Sequence, residues 1–246
     1  MQTSGFAHLL NQLFGGLLAA GLHAVGMPAD KAAAQAAATL NIYTFEILVV
    51  AGLIVFFLLV RLSLSVEKPN PAQQVAEMIH EGVGDLGDQV IGHGYQRFQA
   101  FVTCVFLFVL LNNLLGLIPG VVTPTSQPYV PLGIAVLTFV YYNFHGFRVQ
   151  GVWGYIKHFL GPMPALAILM FPIEVVSHLA RMMSLTIRLY ANMFASDLMT
   201  LVAFSLIPLA IPAGFLALHA AVSVIQAFVF MLLSMIYLSM AVAHEH

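Results

Sequence analysis

The 246 residues are 61% hydrophobic and only 7% charged, with a formal net charge of −2. Soluble domains run nearer to about half apolar and about a quarter charged, so this composition excludes a soluble globular enzyme and a disordered chain. Eight Lys and Arg in all exclude a nucleic-acid binder, and the single Cys104 excludes a disulfide framework or a Cys-rich metal site.

A mean hydropathy of +0.94, carried by long continuous apolar runs, points to an all-α polytopic membrane protein; an outer-membrane barrel would alternate over short segments. Residues 1–40 carry one charged pair, Asp30 and Lys31, and lack the basic n-region of a cleaved signal peptide. Within them FAHLLNQLFGGLLAAGLHAVGM reads as an interfacial segment on the outer side, with a weak extra span as the alternative. The first clear span is 41–61, with Glu46 at headgroup level and Arg61 at its end. Residues 66–97 hold seven of the eighteen charges and two prolines, the mark of an aqueous loop with a cytoplasmic amphipathic helix.

The second span, 98–118, has no charge. Its Asn112–Asn113 pair must find partners inside a bundle, as glue between helices, and Pro119–Gly120 end it. The uncharged, Pro-rich VVTPTSQPYVP leads into a third span at 131–147, capped by Arg148. VQGVWGYIKHFLGPMP then reads as a loop carrying Lys157 and His158. Tyr141–Tyr142 and Trp153 read as interface anchors, and Cys104 as an inert buried thiol.

Residues 165–207 are mostly apolar yet contain Glu174, His178, Arg181, Arg188, Asn192 and Asp197. As one helix they would measure about 64 Å, roughly twice the hydrocarbon thickness, which predicts a strong tilt or a break near Pro172. Pro208 and Pro212 mark a turn into a final apolar helix at 213–243. The expected architecture is therefore about five transmembrane helices plus the amphipathic helix, ending in a long tilted helix hairpin. With five spans, Arg61, Lys68, Arg97, Arg148 and Lys157 share one side and Lys31 the other, so the N-terminus is expected outside and the C-terminus in the cytoplasm.

At 100° per residue, Glu174, His178, Arg181, Ser184, Arg188 and Asn192 fall within an arc of about 120°. Such a stripe requires a polar neighbour, because an arginine at the bilayer centre costs roughly 3 kcal/mol even on the lenient insertion scale. Asp197 lies off the stripe. On the last helix His219, Ser223, Gln226 and Tyr237 share one face. If the two faces meet, a permanent cation lies among groups that exchange protons, which is the equipment of an ion path with an electrostatic barrier.

These residues sit in three motifs: SLTIRLYANMFASDLM, IQAFVFMLLSMIYLSMA and NNLLGLIPG. In that order they resemble the a subunit of F-type ATP synthase, over the chain from Ala72 onward. The resemblance implies a stator subunit of the membrane sector beside a rotating ring of c subunits. Two offset half-channels lead protons to the c carboxylate, and the family's arginine, at Arg188, separates them and couples proton flow to rotation. Asn192 and Gln226 go with that arginine, Asp197 and His219 with the outer half-channel, and Glu174 with the cytoplasmic one; Ser184 and His178 join the path from the polar stripe alone, with a helix-packing hydrogen bond as the alternative for His178. Asp197 stands where relatives often have Glu or His, Ala191 replaces a frequent Gly, and Met182 a frequent Pro. The implied partners are the c-subunit ring, the b subunits of the peripheral stalk, other ATP synthase subunits and the lipid bilayer. No nucleic acid, cofactor or metal is implied, and a bacterial inner membrane is the expected location. No GxxxxGK[ST] loop is present, so ATP chemistry falls to other chains.

Two other classes stand against this reading. A secondary transporter gated by Arg188 would act alone, and no internal repeat supports it. A haem-bearing anchor would use His178 and His219 as axial ligands and show a Soret band.

Overall fold

The computed structural model describes residues 5–24, 27–65, 69–92, 94–118, 121, 123–160, 167–206 and 210–242. They form α1 (Gly5–Ala24), α2 (Ala29–Leu62), α3 (Pro71–Val90), α4 (Gln96–Leu114), α5 (Tyr129–Leu160), α6 (Ala167–Leu206) and α7 (Ala210–Val242), with short 3-10 turns at Leu115–Leu117 and Pro124–Ser126. No strand occurs among the described residues. Pro119–Gly120, Pro208, Lys68, His93, His244 and His246 lie outside them, as do the side chains of Trp153, Lys157 and His158.

Among the described residues four helices are long and apolar enough to cross a membrane: Ala29–Leu62, Gln96–Leu117, Tyr129–Gly151 and Ala213–Val242. α6 has 40 residues and about 60 Å of length, and carries Glu174, Arg181, Arg188 and Asp197. Pro172 lies inside α6 without interrupting it, so of the two alternatives the break is absent and the element runs through as one long helix. Pro212 falls in the first turn of α7, where a missing N–H leaves no intrahelical bond unmade.

Two stretches differ from expectation. α2 begins at Ala29, well before the expected start of the first span, because its alanine-rich first turns bury Ala32, Ala36 and Leu40 where the helix packs beside α1. The segment read as a loop after Arg148 continues α5 as far as Leu160. Gly151 breaks it with φ 74°, a left-handed conformation that costs glycine little, and the apolar residues beyond resume the helix.

The core has two parts. In one, Val105 and Val109 of α4, Ile134 of α5 and Leu185, Leu189 and Met193 of α6 close on Ala227 and Phe230 of α7. In the other, Val83 of α3, Phe98 and Val102 of α4 and Tyr142 of α5 close on Met231, Met235 and Leu238 of α7. α7 is thus the central helix, and α3 lies on the bundle as an amphipathic helix, leaving Glu77, Glu81, Asp85 and Asp88 exposed. α6 packs between α5 and α7 and keeps one long face uncovered.

Candidate functional site: two polar clusters and a free arginine on α6

The helix period divides α6 into an inner and an outer row. Leu185, Leu189 and Met193 are buried at one-turn spacing, and Ser184, Arg188 and Asn192 are exposed at the same spacing. Ser184, Ala191 and Ala195 are small exposed positions within two turns of Arg188, beside the larger exposed Ile187. Among the described residues the Arg188 guanidinium has no hydrogen bond and no ion pair. A permanent cation left unpaired on a mostly apolar helix needs a counter-charge, and the described residues supply none there. One turn on, Asn192 Nδ2 donates to Gln226 Oε1 at 2.7 Å. Gln226 is otherwise buried, and its Nε2 finds no acceptor among the described residues.

Asp197 leaves the stripe, as its angular position requires, and enters a network built by four segments. Thr123 Oγ1 donates to Asp197 Oδ1 at 2.7 Å. The same carboxylate oxygen lies 3.7 Å from His219 Nδ1. His219 is 1% exposed, and its Nε2 lies 3.2 Å from the Asn113 carbonyl oxygen. A carbonyl only accepts, so Nε2 carries a proton. Neutral His219 then has its free lone pair on Nδ1, where the Ser196 hydroxyl sits at 2.8 Å. Nδ1 then faces Ser196 and Asp197 together. Asn113 also links helices through its side chain, donating to the Ser223 carbonyl at 3.4 Å and accepting from Thr125 Oγ1 at 2.6 Å.

A second cluster occupies the N-terminal half of α6. His178 is buried, with Nδ1 3.0 Å from the Tyr142 hydroxyl and Nε2 3.4 Å from Glu174 Oε1. Arg181 reaches the same carboxylate oxygen at 3.7 Å and lies over the Tyr237 ring, 6.0 Å from its centroid. The polar arc on α6 therefore straddles the bundle edge: His178 turns inward, and Ser184, Arg188 and Asn192 turn outward. Glu174 pairs with His178 and Arg181, leaving Arg188 to a different role.

From Glu174 to Asp197 the helix rises about 35 Å, close to a hydrocarbon thickness. Between the two clusters its inward face is Leu185, Leu189 and Met193, packed on Ala227 and Phe230. Two clusters of titratable side chains thus stand at opposite ends of one helix, with mainly apolar packing on its inward face between them and an exposed arginine on its outward face.

Sequence reading brought Asp197 and His219 together correctly, and placed Asn192 and Gln226 near Arg188. It missed Thr123, Ser196 and the Asn113 carbonyl as partners of the acid and imidazole, and Tyr142 as a partner of His178. Burial of hydroxyls in a Pro-rich connection was the one available signal, and only the fold exposes it. Cys104 is a correction: it is exposed on the wall of a cleft of about 880 Å³ between α2, α4 and α5 rather than buried, because α2 stands away from α4 there. Glu46 lines the same cleft half-buried, with Oε1 enclosed and without a hydrogen-bond partner among the described residues. His178 and His219 are each held by protein partners in separate clusters, which removes the geometric basis for a shared haem. No group of three or more His, Cys, Asp or Glu that could hold a metal occurs among the described residues.

Residues 42–239 match the family described as ATP synthase A chain. The chain is 45% identical to ATP synthase subunit a of Koribacter versatilis (strain Ellin345) over 241 residues, covering 98% of this chain and 97% of the relative. It is 46% identical to the subunit a of Solibacter usitatus (strain Ellin6076) over 206 residues, 84% of this chain and 88% of that one. With the subunit a of Bdellovibrio bacteriovorus it shares 43% identity over 173 residues, 70% of this chain and 75% of the relative.

Proposed function

The chain belongs to the ATP synthase A chain family, and from that premise we propose that its two polar clusters are the inner ends of two offset half-channels, kept apart by Arg188. As a member of the family it is a proton-channel subunit of the membrane sector, an all-α multi-pass protein that is not itself a catalytic subunit. What carries the finer reading is Arg188: exposed, without a partner among the described residues, between titratable clusters at opposite ends of α6.

An uncompensated cation facing away from its own bundle calls for a moving anion on another chain. The small residues around it let a neighbouring helix approach closely. A carboxylate on each subunit of the c ring meets both requirements. In its ionised form it is drawn to Arg188; protonated, it is released into lipid, so each pass exchanges one proton with each half-channel. Arg188 cannot carry the proton itself, because its guanidinium stays protonated. Leu185, Leu189 and Met193 close the inward route, so protons cross by way of the ring and turn it.

In the synthesis direction the proton enters at Asp197 and passes to His219 Nδ1, 3.7 Å from the carboxylate. It then reaches the c carboxylate beside Asn192 and Gln226. It leaves past Ser184 toward the Glu174–His178 pair. The Lys and Arg distribution supports an outer N-terminus, a cytoplasmic C-terminus and a bacterial inner membrane. The b subunits of the peripheral stalk hold the chain against rotation.

Cross-linking tests the facing surface. Cysteines at Ser184 or Asn192 should cross-link to the c helix that bears the carboxylate, and a cysteine at buried Leu189 should not. Equal cross-linking from Leu189, or none from Ser184 and Asn192 in an assembled complex, would remove the reading.

A further inference from the structure

We propose that Thr123 is a positioning residue for proton entry, holding the Asp197 carboxylate beside His219. The proposal rests on the reading of Asp197 and His219 as a proton relay. Connections between helices normally run over the surface, because their backbone polar groups need water. The α4–α5 connection does the opposite at three hydroxyl residues within four positions: Thr123 and Thr125 are fully buried, and Ser126 is 5% exposed. Its backbone is tied into a tight turn, with Ser126 N donating to the Thr123 carbonyl at 3.0 Å and Gln127 N to the Pro124 carbonyl at 3.1 Å. Ser126 Oγ donates to the same Thr123 carbonyl at 2.7 Å, and Thr125 Oγ1 fastens the turn to Asn113. The Thr123 hydroxyl is therefore presented from a rigid mount.

What it meets is the oxygen that faces the imidazole. Asp197 Oδ1 accepts from Thr123 at 2.7 Å and stands 3.7 Å from His219 Nδ1. Aspartate is short, and α6 sets its Cα, so a small rotation about its side-chain bonds would carry Oδ1 out of reach of Nδ1. The hydroxyl on the far side of that oxygen prevents the rotation. Residue 116 makes the room: a Cβ at Gly116 would lie 2.0 Å from Thr123 Oγ1 and 2.8 Å from His219 Nε2. Gly116 has no positive φ, so space rather than backbone conformation is what it provides.

The test is passive proton flux through reconstituted membrane sectors, with assembly checked by recovery of the c ring. Thr123→Val keeps the shape and removes the donor; Thr123→Ser keeps the donor. Valine should cut flux roughly tenfold, the scale of a hydrogen bond to a charged group, and serine should restore most of it. Both are repeated in Asp197→Asn, where a positioning residue has nothing left to position. There Thr123→Val should add no further loss. If Asp197→Asn slows flux and Thr123→Val matches wild type, the proposal fails while the relay stands. If valine costs the same factor in both backgrounds, or serine fails as badly as valine, Thr123 is merely structural and the proposal is wrong. If Asp197→Asn itself matches wild type, the relay reading falls, and the proposal with it.

Discussion

Asn192 on α6 and Gln226 on α7 are joined across the helix hairpin by a 2.7 Å hydrogen bond, one turn beyond Arg188. The amide pair ties α7 to the arginine row at that depth, with Gln226 Nε2 enclosed and without an acceptor among the described residues. Asn192→Ala or Gln226→Leu should reduce ATP-driven pumping about threefold to tenfold, since a neutral hydrogen bond is worth roughly 1 kcal/mol and its unpaired partner somewhat more. Pumping into sealed inverted vesicles measures it. Undiminished pumping in both variants would show that the pair is decorative.

Arg188→Ala should abolish pumping in the same vesicles while leaving assembly largely intact, because the side chain makes no hydrogen bond or ion pair among the described residues. Arg188→Lys should rescue poorly: an ammonium is compact and strongly hydrated, where guanidinium is planar and always charged. Near-normal pumping by Arg188→Ala would overturn the barrier role.

At the other cluster the losses should be graded. Asp197→Asn or His219→Ala should slow proton flux and move its pH profile, with Arg188→Ala remaining far worse, because water can stand in for one relay member. Asp197→Glu should keep most function, since the titrating group survives. Flux across a pH series in reconstituted membrane sectors decides it; profiles identical to wild type in both Asp197→Asn and His219→Ala would refute the inlet.

Glu174 and His178 share one contact at 3.4 Å, so their losses should not add. Glu174→Gln and His178→Ala are each expected to slow flux severalfold, and the double variant to be no slower than the worse single one. Tyr142→Phe, which removes the hydroxyl 3.0 Å from His178 Nδ1, should show a milder form of the same defect. Strict additivity would mean that the two groups act apart.

Much of this chain was legible before folding, and for a local reason. Span-length apolar runs follow from the need to satisfy every backbone group within lipid, which a helix does alone. Helical period, also local, put Ser184, Arg188 and Asn192 on one row and set Asp197 off it. Three motifs in order carried the family. What the sequence by itself could not determine is which way each part of the polar arc turns, since that depends on what packs against α6. Only the tertiary structure buries His178 against Tyr142 and leaves Arg188 outside. Only it brings Thr123 to Asp197 across 74 residues and the Asn113 carbonyl to His219 across 106. The continuation of α5 past Arg148 and the exposure of Cys104 belong to the same class, set by neighbours rather than by periodicity. Hydrophobic pattern specifies which segments enter the membrane; the short, directional hydrogen bonds that align a proton path exist only once distant segments have packed.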